Sequence, residues 1–96
     1  MSKSPLSKKN IAEEAVEIVM GARRKSYGEP FVNHSRTAKL WSAYLGIELT
    51  PEQVCYLNIL QKISRSMQID KRDNGVDIVG FALNVELIKQ SRGEIW

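Results

Sequence analysis

The chain has 96 residues, 43% of them hydrophobic and 26% charged, a composition that supports a packed core and a length that suits one domain. A TIM barrel or a doubly wound sheet is excluded, since each needs roughly twice this length or more. The net charge of +3, from 14 Lys and Arg against 11 Asp and Glu, is weaker than the basic stripe of a dedicated DNA binder. Duplex nucleic acid is therefore not an expected partner, whereas small phosphorylated ligands or RNA remain open. Folding at this size removes only about 60 to 70% of the unfolded chain's surface from water, so a homo-oligomer is expected.

Cys55 is the single cysteine, which rules out an intrachain disulfide or a cysteine-based zinc site within one chain and fits a reducing compartment. Its neighbours Val54 and Tyr56 favour a buried, inert thiol. His34 is the single histidine, so a multi-histidine metal centre and a Ser-His-Asp arrangement are poorly supported; a packed or surface histidine is expected. No apolar run reaches about 18 residues and the N-terminus has no apolar leader segment, so a cytoplasmic location without membrane contact is the expectation.

Residues 1–9 read as a flexible arm, 10–90 as a single helical domain and 91–96 as a tail, with Trp96 available as an anchor. Asn10 followed by Glu13 forms a capping-box signature, and Ile11, Ala15, Ile18, Val19 and Ala22 share a face of the first helix. Gly21 weakens its end. The run Lys25-Ser26-Tyr27-Gly28-Glu29-Pro30 carries turn chemistry. A second helix runs from about Phe31 or Asn33 to Leu45, with Pro30 near its first turn and Gly46 as a left-handed stop, and it sets His34, Ala38, Trp41 and Leu45 on one face. Thr50-Pro51-Glu52-Gln53 is the clearest boundary: Thr50 caps, Pro51 opens the helix, and Gln53 reaches back. The third helix then carries Val54, Leu57, Leu60 or Gln61, and Ile63 or Ser64 toward Met67 as an apolar stripe, with Lys62 and Arg65 on other sides. Lys71 to Gly75 reads as a turn. From about Val76 a fourth helix is apolar nearly all round, interrupted by Asp77, Asn84, Glu86 and Lys89, which makes it a central helix or one that faces both the core and another subunit. The fold expected is all-α, a compact bundle of about four helices.

Three constellations carry chemical content. Glu14 and Glu17 stand three apart on one helical face, a spacing that can share a divalent cation and that is also common on solvated faces. Asp73 and Asp77 flank the start of the fourth helix, where carboxylates suit the dipole. Asp77 enters an apolar helix, and an unpaired buried carboxylate is costly, so pairing with Lys62 or Arg65 of the third helix is expected. The loop around Arg23, Arg24, Tyr27 and Gly28 combines phosphate-binding cations with a ring able to stack on a base and a backbone open to close approach. Its spacing is not that of a Walker A loop. The same residues also suit a helix terminator whose cations offset the C-terminal dipole.

The string from Gly21 to Pro30, with Asn33, Leu40 to Gly46, Thr50 to Val54, Lys62 to Arg65 and Asp73 to Phe81, resembles a small phage and prophage family of unknown function. The resemblance covers roughly residues 12 to 88. Its pattern, G-D-R-x-x-x-Y-G-D-P, then K-x-x-R, then D-x-x-x-D-I-x-G-Y, is matched here by Arg23, Tyr27, Gly28, Pro30, Lys62, Arg65, Asp73, Asp77 and Gly80, with Asn33 also in common; Ala22, Glu29 and Phe81 depart from it. That family is in turn distantly similar to MazG-like all-α nucleotide pyrophosphohydrolases, whose paired helical carboxylates hold Mg²⁺ against a triphosphate. Only part of that carboxylate set is present, because no E-x-x-D follows Glu14 and Glu17.

The function expected is binding of a nucleotide or cyclic nucleotide signal without hydrolysis, serving to sequester a host immune messenger. The ligand residues expected are Arg23, Arg24, Tyr27, Gly28, Asn33, Lys62, Arg65, Asp73 and Asp77. No catalytic residue, metal ligand or cofactor is assigned, and the balance is against an enzyme. One alternative is a MazG-like pyrophosphohydrolase holding Mg²⁺ on Glu14, Glu17, Asp73 and Asp77. Another is a module that inhibits a host protein through the apolar fourth helix.

Overall fold

A computed structural model of the protein describes residues 9–22, 24–25 and 28–94. Helix α1, Ile11–Glu17, opens on the expected box: Asn10 Oδ1 accepts from the Glu13 amide at 2.8 Å, and the Asn10 amide donates to Glu13 Oε1 at 3.0 Å. It passes into a π turn, Ile18–Ala22, where Gly21 weakens the α-helical preference. Ala15 and Val19 are buried, whereas Ile11 at the start of the predicted face is exposed.

Helix α2, Pro30–Leu45, begins on its proline and ends at Gly46, whose φ of 73° supplies the left-handed stop. The stripe that buries Pro30, His34 and Ala38 runs on to Trp41 and Leu45, which are exposed. Helix α3, Pro51–Gln68, starts as Thr50 and Gln53 predict, each side chain bonding the other's amide. Helix α4 spans Arg72–Ser91 and touches every other helix and the π turn, so it is the central element. Cys55 of α3 with Val85 and Ile88 of α4 forms the core cluster, joined by Phe31 and Phe81. The fold is an all-α bundle of four helices, with no strand among the described residues.

Two expectations are corrected. The fourth helix begins at Arg72 rather than Val76, so the predicted turn from Lys71 to Gly75 is largely the helix's first turn. Arg72 is held there by Glu14 and by the Lys9 carbonyl at 2.9 Å, and Asp73 lies where the dipole favours a carboxylate. The predicted core stripe of α3 is also turned round. Val54 is buried, but Leu57, Leu60, Ile63 and Met67 are exposed, while Cys55 and the half-buried Asn58, Ile59, Lys62 and Ser66 face inward. On the inward face Lys62 meets Asp77 of α4, and Glu52 meets Lys89 of α4 and Arg92 just beyond it.

The described residues stop at Glu94, so the predicted anchor Trp96 and most of the predicted N-terminal arm lie outside them. Ser91 is still helical, and a turn at Arg92 and Gly93 follows.

Candidate functional site

The polar interruptions of α4 fall into register. Asp77 and Asn84, seven residues apart, share a face with Phe81 between them. Together with Gly80 and Val76 they line a small hollow, partly open to bulk water and with room for about one water molecule, whose other side is Ala15, Ile18 and Val19. Gly80 faces Val19 of the π turn, whose Cγ2 lies 3.4 Å from where a Cβ would stand, an ordinary packing contact.

Asp77 is paired as its position predicts: Lys62 Nζ lies 2.9 Å from its Oδ2, with both side chains half-buried. Asn84 is only 8% exposed. Its Nδ2 donates to His34 Nε2 at 3.2 Å, and its Oδ1 has no partner among the described residues. His34 is itself buried and meets Phe81 edge to face, the ring centroids 6.1 Å apart. Burial pushes the His34 imidazole below its usual range, so the ring is neutral near pH 7 and can accept through Nε2.

A second hollow, of about 490 Å³ and also open to solvent, lies where α3 ends and α4 begins. It is lined by Arg65, Gln68, Ile69, Lys71 and Asn74. Asn74 is buried and donates to the Ile69 carbonyl at 3.4 Å. No carboxylate among the described residues pairs with Arg65 or Lys71.

The expected ligand residues divide between these places. Lys62 and Asp77 are in contact, and Arg65 lines the second hollow. Asp73 is exposed in the first turn of α4. Asn33 is half-buried in the first turn of α2, its carbonyl accepting from Thr37 Oγ1 at 3.2 Å. Gly28 is exposed at φ 79°, with its amide bonded to the Arg24 carbonyl at 2.9 Å. Arg24 is half-buried, its Nε without a partner among the described residues. Arg23 and Tyr27 lie outside those residues. No hydrogen bond or ion pair among the described residues joins Arg24, Gly28 or Asn33 to Lys62, Arg65, Asp73 or Asp77.

The four carboxylates of the pyrophosphohydrolase alternative are dispersed. Glu14 is held by Arg72, Glu17 by Lys9 at 2.9 Å, and Asp77 by Lys62. Among the described residues no three metal-ligating side chains gather.

Asn84, Lys71 and Asn74 were not among the expected ligand residues. For Asn84 the signal was its i, i+7 spacing from Asp77 in an apolar helix; Lys71 and Asn74 were hidden in what reads as a turn.

Residues 10–88 match the family model of a domain of unknown function, DUF6378. The Gene 55 protein of Mycobacterium phage L5 is 45% identical over 75 residues, which cover 76% of this chain and 48% of that protein. The Gene 55 protein of Mycobacterium phage D29 is 40% identical over 80 residues, covering 82% and 53% respectively. The chain thus spans about half the length of these relatives. No solved structure matches. No helix among the described residues is long and apolar enough to cross a membrane.

Proposed function

Because the chain belongs to DUF6378, a family of unknown function with phage relatives, we propose that it binds a nucleotide-type phosphorylated small molecule and leaves it intact. The observation that carries this reading is the pairing of Arg65 and Lys71 at the second hollow, beside Gln68 and Asn74. The two amide side chains carry the donors and acceptors that a base edge would meet. Arg65 and Lys71 are the cations for the ligand's phosphate, because no described carboxylate already neutralises them. Dispersal of Glu14, Glu17 and Asp77 among separate cations supports retention over metal-assisted cleavage. In a phage protein, retention of a cyclic nucleotide would withdraw a signal from the infected cell.

Calorimetric titration with mono-, di- and cyclic nucleotides tests this reading. A micromolar binder is expected, weakened at least about 10-fold by Arg65→Ala or Lys71→Ala, the loss of one charge-assisted hydrogen bond. Its mass spectrum should be unchanged after incubation with Mg²⁺. Absence of binding at millimolar nucleotide overturns the proposal, as does binding indifferent to both substitutions.

A further inference from the structure

Helix α3 turns two of its three charged residues, Glu52 and Lys62, inward and most of its large apolar residues outward, with Arg65 exposed near its end. Glu52 and Lys62 are both held against α4 by ion pairs, whereas Tyr56, Leu57, Leu60, Ile63 and Met67 face water, the last two turns reaching 60% exposure at Leu60 and 84% at Met67. From Gln53 to Ser64 every exposed residue of the helix is uncharged. This inverts the usual distribution for a surface helix, in which charged side chains take the solvent face.

The spacing of the outward residues is specific. Tyr56, Leu60, Ile63 and Met67 are separated by four, three and four residues, the alternation that keeps knobs of one helix facing the holes of another. We propose that this seam is where a second copy of the chain packs, α3 against α3, about a two-fold axis.

A two-fold interface pairs a patch with itself, so any net charge on it would be repelled by its own image. The α3 seam meets that condition, although the chain as a whole carries +3. A partner recruited by charge would instead need a counter-charge, which the seam does not present. The area is sufficient. Taking about 200 Å² for a fully exposed large side chain, the five residues leave on the order of 500 Å² of apolar surface per copy. Seam-to-seam packing then removes about 1,000 Å², the size at which an interface becomes specific, before the flanking Gln53, Gln61 and Ser64 are counted.

Sedimentation equilibrium of the full chain tests this assignment. At tens of micromolar the expected mass is twice 10.9 kDa. The double variant Leu60→Glu, Met67→Glu should sediment as a single chain, its dissociation constant raised at least about 100-fold, with unchanged far-ultraviolet circular dichroism because both side chains are already in water. Ser64→Cys gives a second readout that does not depend on that variant folding. A short bis-maleimide should link it into a double-mass species, while buried Cys55 stays unreacted. A single-chain mass for the unaltered protein at 100 µM overturns the proposal. So does a double mass that survives the Glu pair or that Ser64→Cys fails to crosslink, since either places the contact on another face.

Discussion

Cys55 and His34 are the chain's single examples of their type, and both are governed by burial. Burial first, and the nearby Glu52 charge second, push the Cys55 thiol up to about 12, so the thiolate is absent near neutrality. Its inertness is legible from apolar neighbours in the sequence. The role of His34 is not, because its partners Asn84 and Phe81 come from a helix some fifty residues away. Desolvation lowers its pKa from an ordinary 6.5, so the unfolded chain takes up a proton before the folded one does. Its contribution to stability is complete above about pH 6.5 and declines as pH falls from there toward the depressed folded value. Thermal midpoints should therefore drop between pH 7.5 and 5.5 and show a flatter profile in His34→Phe. A profile of equal slope in that variant would assign the effect to other groups. The Lys62–Asp77 pair was legible for the converse reason: a carboxylate in an apolar helix demands a cation, and α3 offers few.

At the scale of elements, what could be read from sequence was the set of boundaries that rest on local chemistry. Asn10 with Glu13, Thr50 with Gln53, Pro51 and Gly46 each act within one turn, and each stands where its spacing predicts. The start of α4 was not readable, because Lys71 to Gly75 has turn chemistry and is drawn into the helix by the distant Glu14 and the Lys9 carbonyl. Gly46 offers the cleanest test of an element-level assignment. Its φ of 73° suits glycine, and a Cβ there meets no neighbour within 4 Å, so substitution acts through the backbone alone. Gly46→Ala should lower stability by about 1 kcal/mol in urea titration with an unchanged slope. Thr50→Ala, which removes the bond to the Gln53 amide, should cost about the same. The two substitutions lie close enough to interact, so their double variant reports whether the hinge between α2 and α3 behaves as one unit.

For the molecule as a whole, the number and order of helices follow from periodicity, but the rotation of α3 does not. Its sequence offers two apolar stripes, one through Val54 and Cys55 and one through Tyr56, Leu60, Ile63 and Met67, and a single chain can bury only one against α4. The stripe that is buried is the one whose face also sets Glu52 and Lys62 against their partners, contacts that turning the helix round would break. Local pattern cannot weigh those partners, because they sit on the last helix. The same choice leaves a small core, in which the fully buried large side chains are Val54, Cys55, Val85 and Ile88. Ile88→Ala should then cost about 3 kcal/mol, a large share of the stability available to a domain of this length. If the second stripe is covered by another copy, that loss is offset by association, which depends on concentration. The thermal midpoint of Ile88→Ala should accordingly rise by several degrees from 2 to 200 µM protein, and the rise should vanish when Leu60→Glu and Met67→Glu are added. A midpoint independent of concentration in the Ile88→Ala chain would mean that the two stripes of α3 do not share the work of holding the fold.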